Sequence, residues 1–448
     1  MRFLNGCLLS IVACVPSPRD ASSASSEPGL YDPDPAHLWN RLHRALFIRT
    51  TADGREFGHD EVDPLLFWNT KHLLTGRTHE QAIGLLDEFL EKKGEDLIRD
   101  PVKRAILQHD LWAAFNWAAR RPPSWEEELC RLEPVRRTLR GRLAKVIDRL
   151  ALGVEELKAL PDTYAAAVAS KAFTPDIDAA HPDAAFLPPE LFLAEGPWVC
   201  VGPRPAGRLD TFPPAAPTHA SRFSDRSAFL VFMRLPGGRG TTLAYLKQLR
   251  EFPRPCVIGT DGQREANPEL PQFPVGTQVA LVRQMILIDK EGHPVPSRLT
   301  ESVQFRAYRE VSKNPQGFNG QAAREQKFFQ LDLDRARLFA LEAGGLRPVG
   351  DRKDLHDGGD PFEPTPEDGH FVPLESREPR LRKCAGCHTG GGIFSVKSYY
   401  PNFNFGLIDS DSVPRALASR KPEDEANAAA ARLDRSHDFG ILRGLVDK

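Results

Sequence analysis

Methionine is almost missing from this chain: Met1, Met233 and Met285 are all there are, and none lies in the last third. Charge of one sign is missing too. The formal net charge is -2, with basic and acidic residues mixed throughout, so no electrostatic argument favours nucleic acid or an anionic surface as partner. After the first residues no apolar run reaches the roughly 18–20 residues that span a bilayer, which argues against a transmembrane segment in the body of the protein. Cysteine is scarce, with 7 in 448 residues, so a disulfide-built miniprotein is excluded. A chain this long buries its own cores. No internal repeat is present.

The opening stretch "MRFLNGCLLSIVAC" has one Arg, a short apolar run, and then Ile11, Val12, Ala13 and Cys14. This pattern resembles a bacterial lipobox. The resemblance implies export and a lipid anchor at Cys14, with a periplasmic or outer-envelope location. "SPRDASSASSEP" then reads as a flexible tether, so residues 1–33 form the signal and tether.

Residues 34–169 read as a helical domain. Asp34 and Pro35 form a cap and first-turn pair ahead of Leu38, Trp39, Leu42 and Leu46. Thr78 to Gln81 reads as a capping box, with Gly94 closing that helix. Asp100 and Pro101 open a third helix carrying Ile106, Leu107, Leu111, Trp112 and Phe115. Pro122 and Pro123 stop it, and Ser124 to Glu127 is a second capping box.

Residues 170–345 read as a Pro-rich connection followed by a mainly antiparallel β domain. Ala228–Leu235 and Thr277–Asp289 are apolar strands. "SVQFRAYREV" alternates Val303, Phe305 and Ala307 against Gln304, Arg306 and Tyr308, and Phe329, Leu331 and Leu333 repeat the period. A helix over 243–252 packs on the sheet. "RLPGGRGTTL" carries Gly237, Gly238 and Gly240 but lacks a phosphate-loop ending, so it reads as a turn with Thr241 or Thr242 capping the next helix. "DLHDGGD" does not match a calcium loop and reads as a surface turn. In an oxidising compartment Cys200 and Cys256 could pair, both lying in the middle region, but the odd cysteine count leaves the pairing open. The fold class is α+β, ending in an irregular and helical segment over 346–448, in which "EDEANAAAARLDR" reads as a short exposed helix.

The chemistry concentrates in "LRKCAGCHTGGGIFSVKSYYPNF". Two thiols separated by two residues span the edge of a porphyrin, and a His immediately after the second lies beneath the iron, so Cys384, Cys387 and His388 have the spacing for covalent haem c. A structural zinc site needs four ligands, and no second pair stands nearby. A thioredoxin-like pair opens a helix in a βαβ context, which is not the setting here. A plain disulfide between Cys384 and Cys387 stays open.

On these residues "CAGCHTGGG" resembles the haem site of a c-type cytochrome. The resemblance implies one covalent haem c, with Cys384 and Cys387 as thioether anchors and His388 as proximal iron ligand. No Met follows His388, so the sixth position falls to a histidine (His356, His370 or His437) or stays open to a small ligand. The order of a β-rich region followed by a C-terminal Cys-x-x-Cys-His is also similar, over at most Ala228–Phe405, to the c-prime-beta and hydroxylamine-oxidising cytochromes. Phe394, Tyr399 and Tyr400, with Phe403 and Phe405, are the aromatics to place around a porphyrin. Two readings follow. One is an exported mono-haem protein that transfers electrons to an unidentified redox partner or binds a small ligand at iron, a haem oxidoreductase if it is an enzyme. The other is a non-enzymatic envelope protein with a Cys384–Cys387 disulfide.

Overall fold

The computed structural model describes residues 29–50, 56–57, 78–119, 130, 132–178, 180–181, 184–203, 216–254, 256–258, 260, 264–312, 324–349, 388, 390–396 and 417–446. Four helices come first: α1 (Leu38–Phe47), α2 (Thr78–Glu91), α3 (Pro101–Ala119) and α4 (Glu133–Arg149). Two short ones, α5 (Val154–Ala159) and α6 (Thr163–Ala169), follow. The centre is a seven-stranded sheet of β1 (Val199–Pro203), β2 (Ser227–Arg234), β3 (Gln278–Ile288), β4 (Pro294–Tyr308), β5 (Gln326–Leu333), β6 (Leu346–Pro348) and β7 (Leu417–Ser419). Its order is β6-β5-β4-β3-β2-β1-β7, and every neighbouring pair is antiparallel. Between strands lie α7 (Pro217–Arg222), α8 (Arg239–Glu251) and α9 (Arg335–Phe339), and α10 (Pro422–Asp434) and α11 (His437–Val446) end the described chain. The class is therefore α+β, with helices before a mainly antiparallel sheet.

The uninterrupted apolar run of β2 has a simple cause, since side chains alternate across a strand and here both faces are covered. Ala228, Leu230 and Phe232 enter a core shared with the helices, while Phe229, Val231 and Met233 enter a second core with Tyr245, Leu246 and Leu249 of α8. β4 and β5 obey the same rule: Val303, Phe305, Ala307, Phe329 and Leu331 join the first core, and Tyr308 joins the second. Each fully buried Phe or Leu contributes roughly 1.5–3 kcal/mol. The first core runs unbroken from α1 through α4 and the sheet to α10 and α11.

Local signals held in part. Asp100 accepts from the amides of Val102 (2.8 Å) and Lys103 (3.2 Å), capping α3 as its sequence implies. Asp34 instead orders a preceding turn, accepting from Ala36 N at 2.9 Å, and His37 caps α1 through Nδ1. After α2 the left-handed residue is Lys93, not Gly94. Gly94 is required because a Cβ there would enter the Phe89 ring. The glycine turn before α8 has Gly237 and Gly238 at positive φ, and Gly238 is the helix cap. Thr242 ties the turn instead, accepting from Leu235 N and donating to Gly238 O, both at 3.0 Å. The Ser124 box and the Pro122 stop lie outside the described residues.

Two expectations are corrected. The alanine-rich C-terminal helix is not exposed: Ala426, Ala428, Ala429, Ala430 and Leu433 of α10 are buried, and the helix lies on β2 and β4. Alanine makes its close approach to the sheet feasible. Cys200 does not pair with Cys256. It is a free thiol, buried in the first core with the face of β1 that points toward the helices, and burial pushes its pKa well up. Among the described residues no helix is long and apolar enough to cross a membrane.

Candidate functional site

The β4–β5 pairing sets Arg306 opposite Phe328 and Tyr308 opposite Gln326. On the face that carries Tyr308, these strands present Gln304, Arg306, Gln326 and Phe328 as alternate residues. This is the face against which the segment from His388 to Val396 is held.

That segment is anchored at three points. Ile393, Phe394 and Val396 enter the second core, where Phe273 and Tyr308 already pack edge to face. Gln272 then clamps the backbone. Its Oε1 accepts from Ile393 N at 3.0 Å and its Nε2 donates to Gly391 O at 3.2 Å. The glycines after the Cys-x-x-Cys-His stretch are explained by this approach. A Cβ on Gly391 would collide with the Ser312 backbone, and Gly392 is at φ 49° with Gln272 against it.

The third anchor is Ser395, which is fully buried. Its hydroxyl donates to Gly392 O at 2.8 Å, and because a hydroxyl has one proton it accepts from Tyr308 OH (2.6 Å) and Arg306 Nη1 (3.1 Å). Its carbonyl accepts from Arg306 Nη1 at 3.2 Å and from His388 Nδ1 at 2.8 Å. Burial is the main cause that raises the Tyr308 pKa, which the Arg306 charge opposes, and so the phenol stays protonated as a donor.

His388 is half-buried. Its backbone carbonyl accepts from Gln326 Nε2 at 3.2 Å, and its ring lies 6.5 Å from that of Phe328. A carbonyl has no proton to give, so the hydrogen of the neutral imidazole sits on Nδ1. Nε2 therefore carries the lone pair. Metal-ligating histidines are generally held this way, with one ring nitrogen donating to a carbonyl or carboxylate and the other left basic. The residues present thus fit an imidazole ligand to iron.

The other expected site residues divide. Phe394 is a core residue that pins the loop. Cys384, Cys387, Tyr399, Tyr400, Phe403, Phe405, His356, His370, Cys7 and Cys14 lie outside the described residues, as does the "DLHDGGD" turn. His437 starts α11 at an exposed position, and Met233 and Met285 are buried within the sheet. Among the described residues no cluster of three or more His, Cys, Asp or Glu is placed to hold a metal ion. A cleft of about 220 Å³, lined by Asn116, Trp117, Ser224, Asp225, Ser436 and Asp438, shares no residue with the His388 site.

Arg306, Tyr308, Gln326, Gln272 and Ser395 were not singled out as site residues by the sequence. The first two sit on the polar side of an alternating strand, which ordinarily means a solvent-facing side. Comparison with protein-family models, curated proteins and solved structures finds no match to this chain.

Proposed function

We propose that the chain is an exported mono-haem protein of the c-type cytochrome class, with Cys384 and Cys387 as thioether anchors and His388 as the proximal ligand. The observation that carries this reading is the His388 imidazole, which immediately follows a Cys-x-x-Cys pair and whose Nδ1 donates to the Ser395 carbonyl at 2.8 Å. That bond fixes ring tautomer and orientation, which would suit His388 to hold iron. When bound, the haem supplies one-electron redox chemistry or a binding position for a small molecule at iron.

The residues of the chain supply the support. Gln272 and the apolar anchors Ile393, Phe394 and Val396 hold the loop, and Gln326 holds the His388 carbonyl. The sequence has no Met after His388, so a second protein ligand to a bound haem, if there is one, would be a histidine. Tyr399 and Tyr400, further along the sequence than Phe394, are the aromatic side chains that would line the ring.

The test is production in cells that mature cytochromes c, with haem staining after denaturing electrophoresis. The expected result is haem that stays with the denatured wild-type chain and loss of two-bond attachment in Cys384→Ala. A wild-type chain without covalent haem overturns the reading. A Cys384–Cys387 disulfide found in its place would establish the envelope-protein alternative. Release of the mature chain in a form acylated at Cys14 would establish the lipid anchor, and retention of an unprocessed chain in the cytoplasm would contradict export.

A further inference from the structure

We propose that Arg306 is a positioning residue that sets the reduction potential of iron held by His388, acting through the Ser395 carbonyl; this rests on the haem reading above. The observation is a shared acceptor. One carbonyl oxygen receives both His388 Nδ1 (2.8 Å) and Arg306 Nη1 (3.2 Å). A carbonyl has two lone pairs, so both bonds form together. Each draws density from the same oxygen, and a charged donor draws more than a neutral one.

The consequence follows from the chemistry of imidazole. A strong acceptor at Nδ1–H gives the ring imidazolate character, makes Nε2 a stronger donor and favours ferric iron. Arg306 weakens that acceptor and so favours ferrous iron. The direct field of the guanidinium acts the same way, because a cation opposes the added positive charge of the ferric state. Arg306 is only 6 % exposed, so water screens it little. Both effects raise the potential.

The surroundings suit a held guanidinium. The Nη1 that reaches Ser395 O also reaches Ser395 Oγ (3.1 Å) and lies 3.4 Å from Gln326 Oε1. Tyr308 OH holds the same hydroxyl at 2.6 Å, which leaves Ser395 little freedom to turn. Glu325 is the other buried charge acting on Tyr308, and it offsets part of the field. Gln326 touches both ends of the network, reaching the His388 carbonyl at 3.2 Å.

The experiment is a spectroelectrochemical titration of the haem-loaded full chain, with covalent haem content measured first. Arg306→Gln, which removes the charge, is expected to shift the potential downward, and Arg306→Lys to restore most of the wild-type value. Gln326→Glu sets a carboxylate beside the intact guanidinium and is expected to shift the potential the same way. It keeps the test decisive if Arg306→Gln does not fold. A purely structural role for Arg306 predicts lost stability with the potential unmoved. Wild-type potential in both charge-neutralising variants, or an upward shift, overturns this inference alone. A wild-type chain without haem overturns the haem reading and this inference with it.

Discussion

Two polar clusters are buried against the same sheet, and they end differently. Where α3 meets the sheet, Gln108, His109 and Asp110 are consecutive and each 1 % exposed. Gln108 spans the gap to β3, accepting from Ile288 N at 3.0 Å and donating to Ile288 O at 2.9 Å, while Asp110 takes a two-pronged pair from Arg335 at 2.8 and 2.5 Å. His109 Nε2 faces the Arg226 carbonyl at 3.4 Å. Glu301 beyond it is held by Ser227 at 2.5 Å. These bonds fasten a helix to a sheet. The cluster at Ser395 runs instead from a buried guanidinium through a carbonyl to a half-buried imidazole that donates through Nδ1. Burial of polar groups alone does not mark a site. On the reading proposed above, the cluster that ends at His388 is the one placed for chemistry.

The sharpest way to break the comparison is Asp110→Ala. It removes the carboxylate that Arg335 pairs with in the interior, and loss of one partner of a buried pair costs about 3–5 kcal/mol. A urea midpoint reads that loss, and on the reading proposed above the folded fraction should carry as much haem as the folded wild type. Loss of haem per folded chain would show that the two clusters are not separable.

A pH series tests the first cluster again. Burial is the main cause that drives the His109 pKa down to about 3, with Arg226 and Arg283 adding and Asp110 opposing. Above pH 6.5 the imidazole is neutral in both states. Below it the unfolded chain takes up a proton that the native state refuses until about pH 3, so stability falls as pH falls through that window. The slope from this one group is about 1.4 kcal/mol per pH unit. His109→Gln should flatten that part of the urea-midpoint profile, and an unchanged slope would remove His109 from the account.

Gly391→Ala tests the second cluster by volume. The added methyl meets the Ser312 backbone, and overpacking of this kind costs about 1–3 kcal/mol. Hydrogen exchange should quicken at Ile393 and Phe394 before it does in β2. Tyr308→Phe removes one hydroxyl from Ser395 and should cost less, about 0.5–1.5 kcal/mol. An equal exchange response in both cores would contradict a loop anchored locally.

Much of the sheet was legible because period-two alternation is enforced by covering one or both faces. Residues 303, 305 and 307 point as their pattern demands, and β2 and β3 lie within a residue of their apolar runs. α10 was misread because its buried face is made of alanine, whose small side chain gives little apolar contrast on a charged helix. Arg306 was illegible for the opposite reason. An Arg on the polar side of a strand ordinarily faces water, and only the return of a loop from far along the chain buries it. The Cys384 to His388 spacing is visible in the sequence, and Cys384 and Cys387 lie outside the described residues. Its supporting hydrogen bonds come from residues 272, 306, 308 and 326, whose approach is a tertiary fact with no local signature.

The most direct measurement is intact and peptide mass analysis of the wild-type chain purified from cells that mature cytochromes c. The account predicts one haem per chain, bound through thioethers on the peptide carrying Cys384, Cys387 and His388. A peptide with two free thiols or a disulfide and no haem would contradict it.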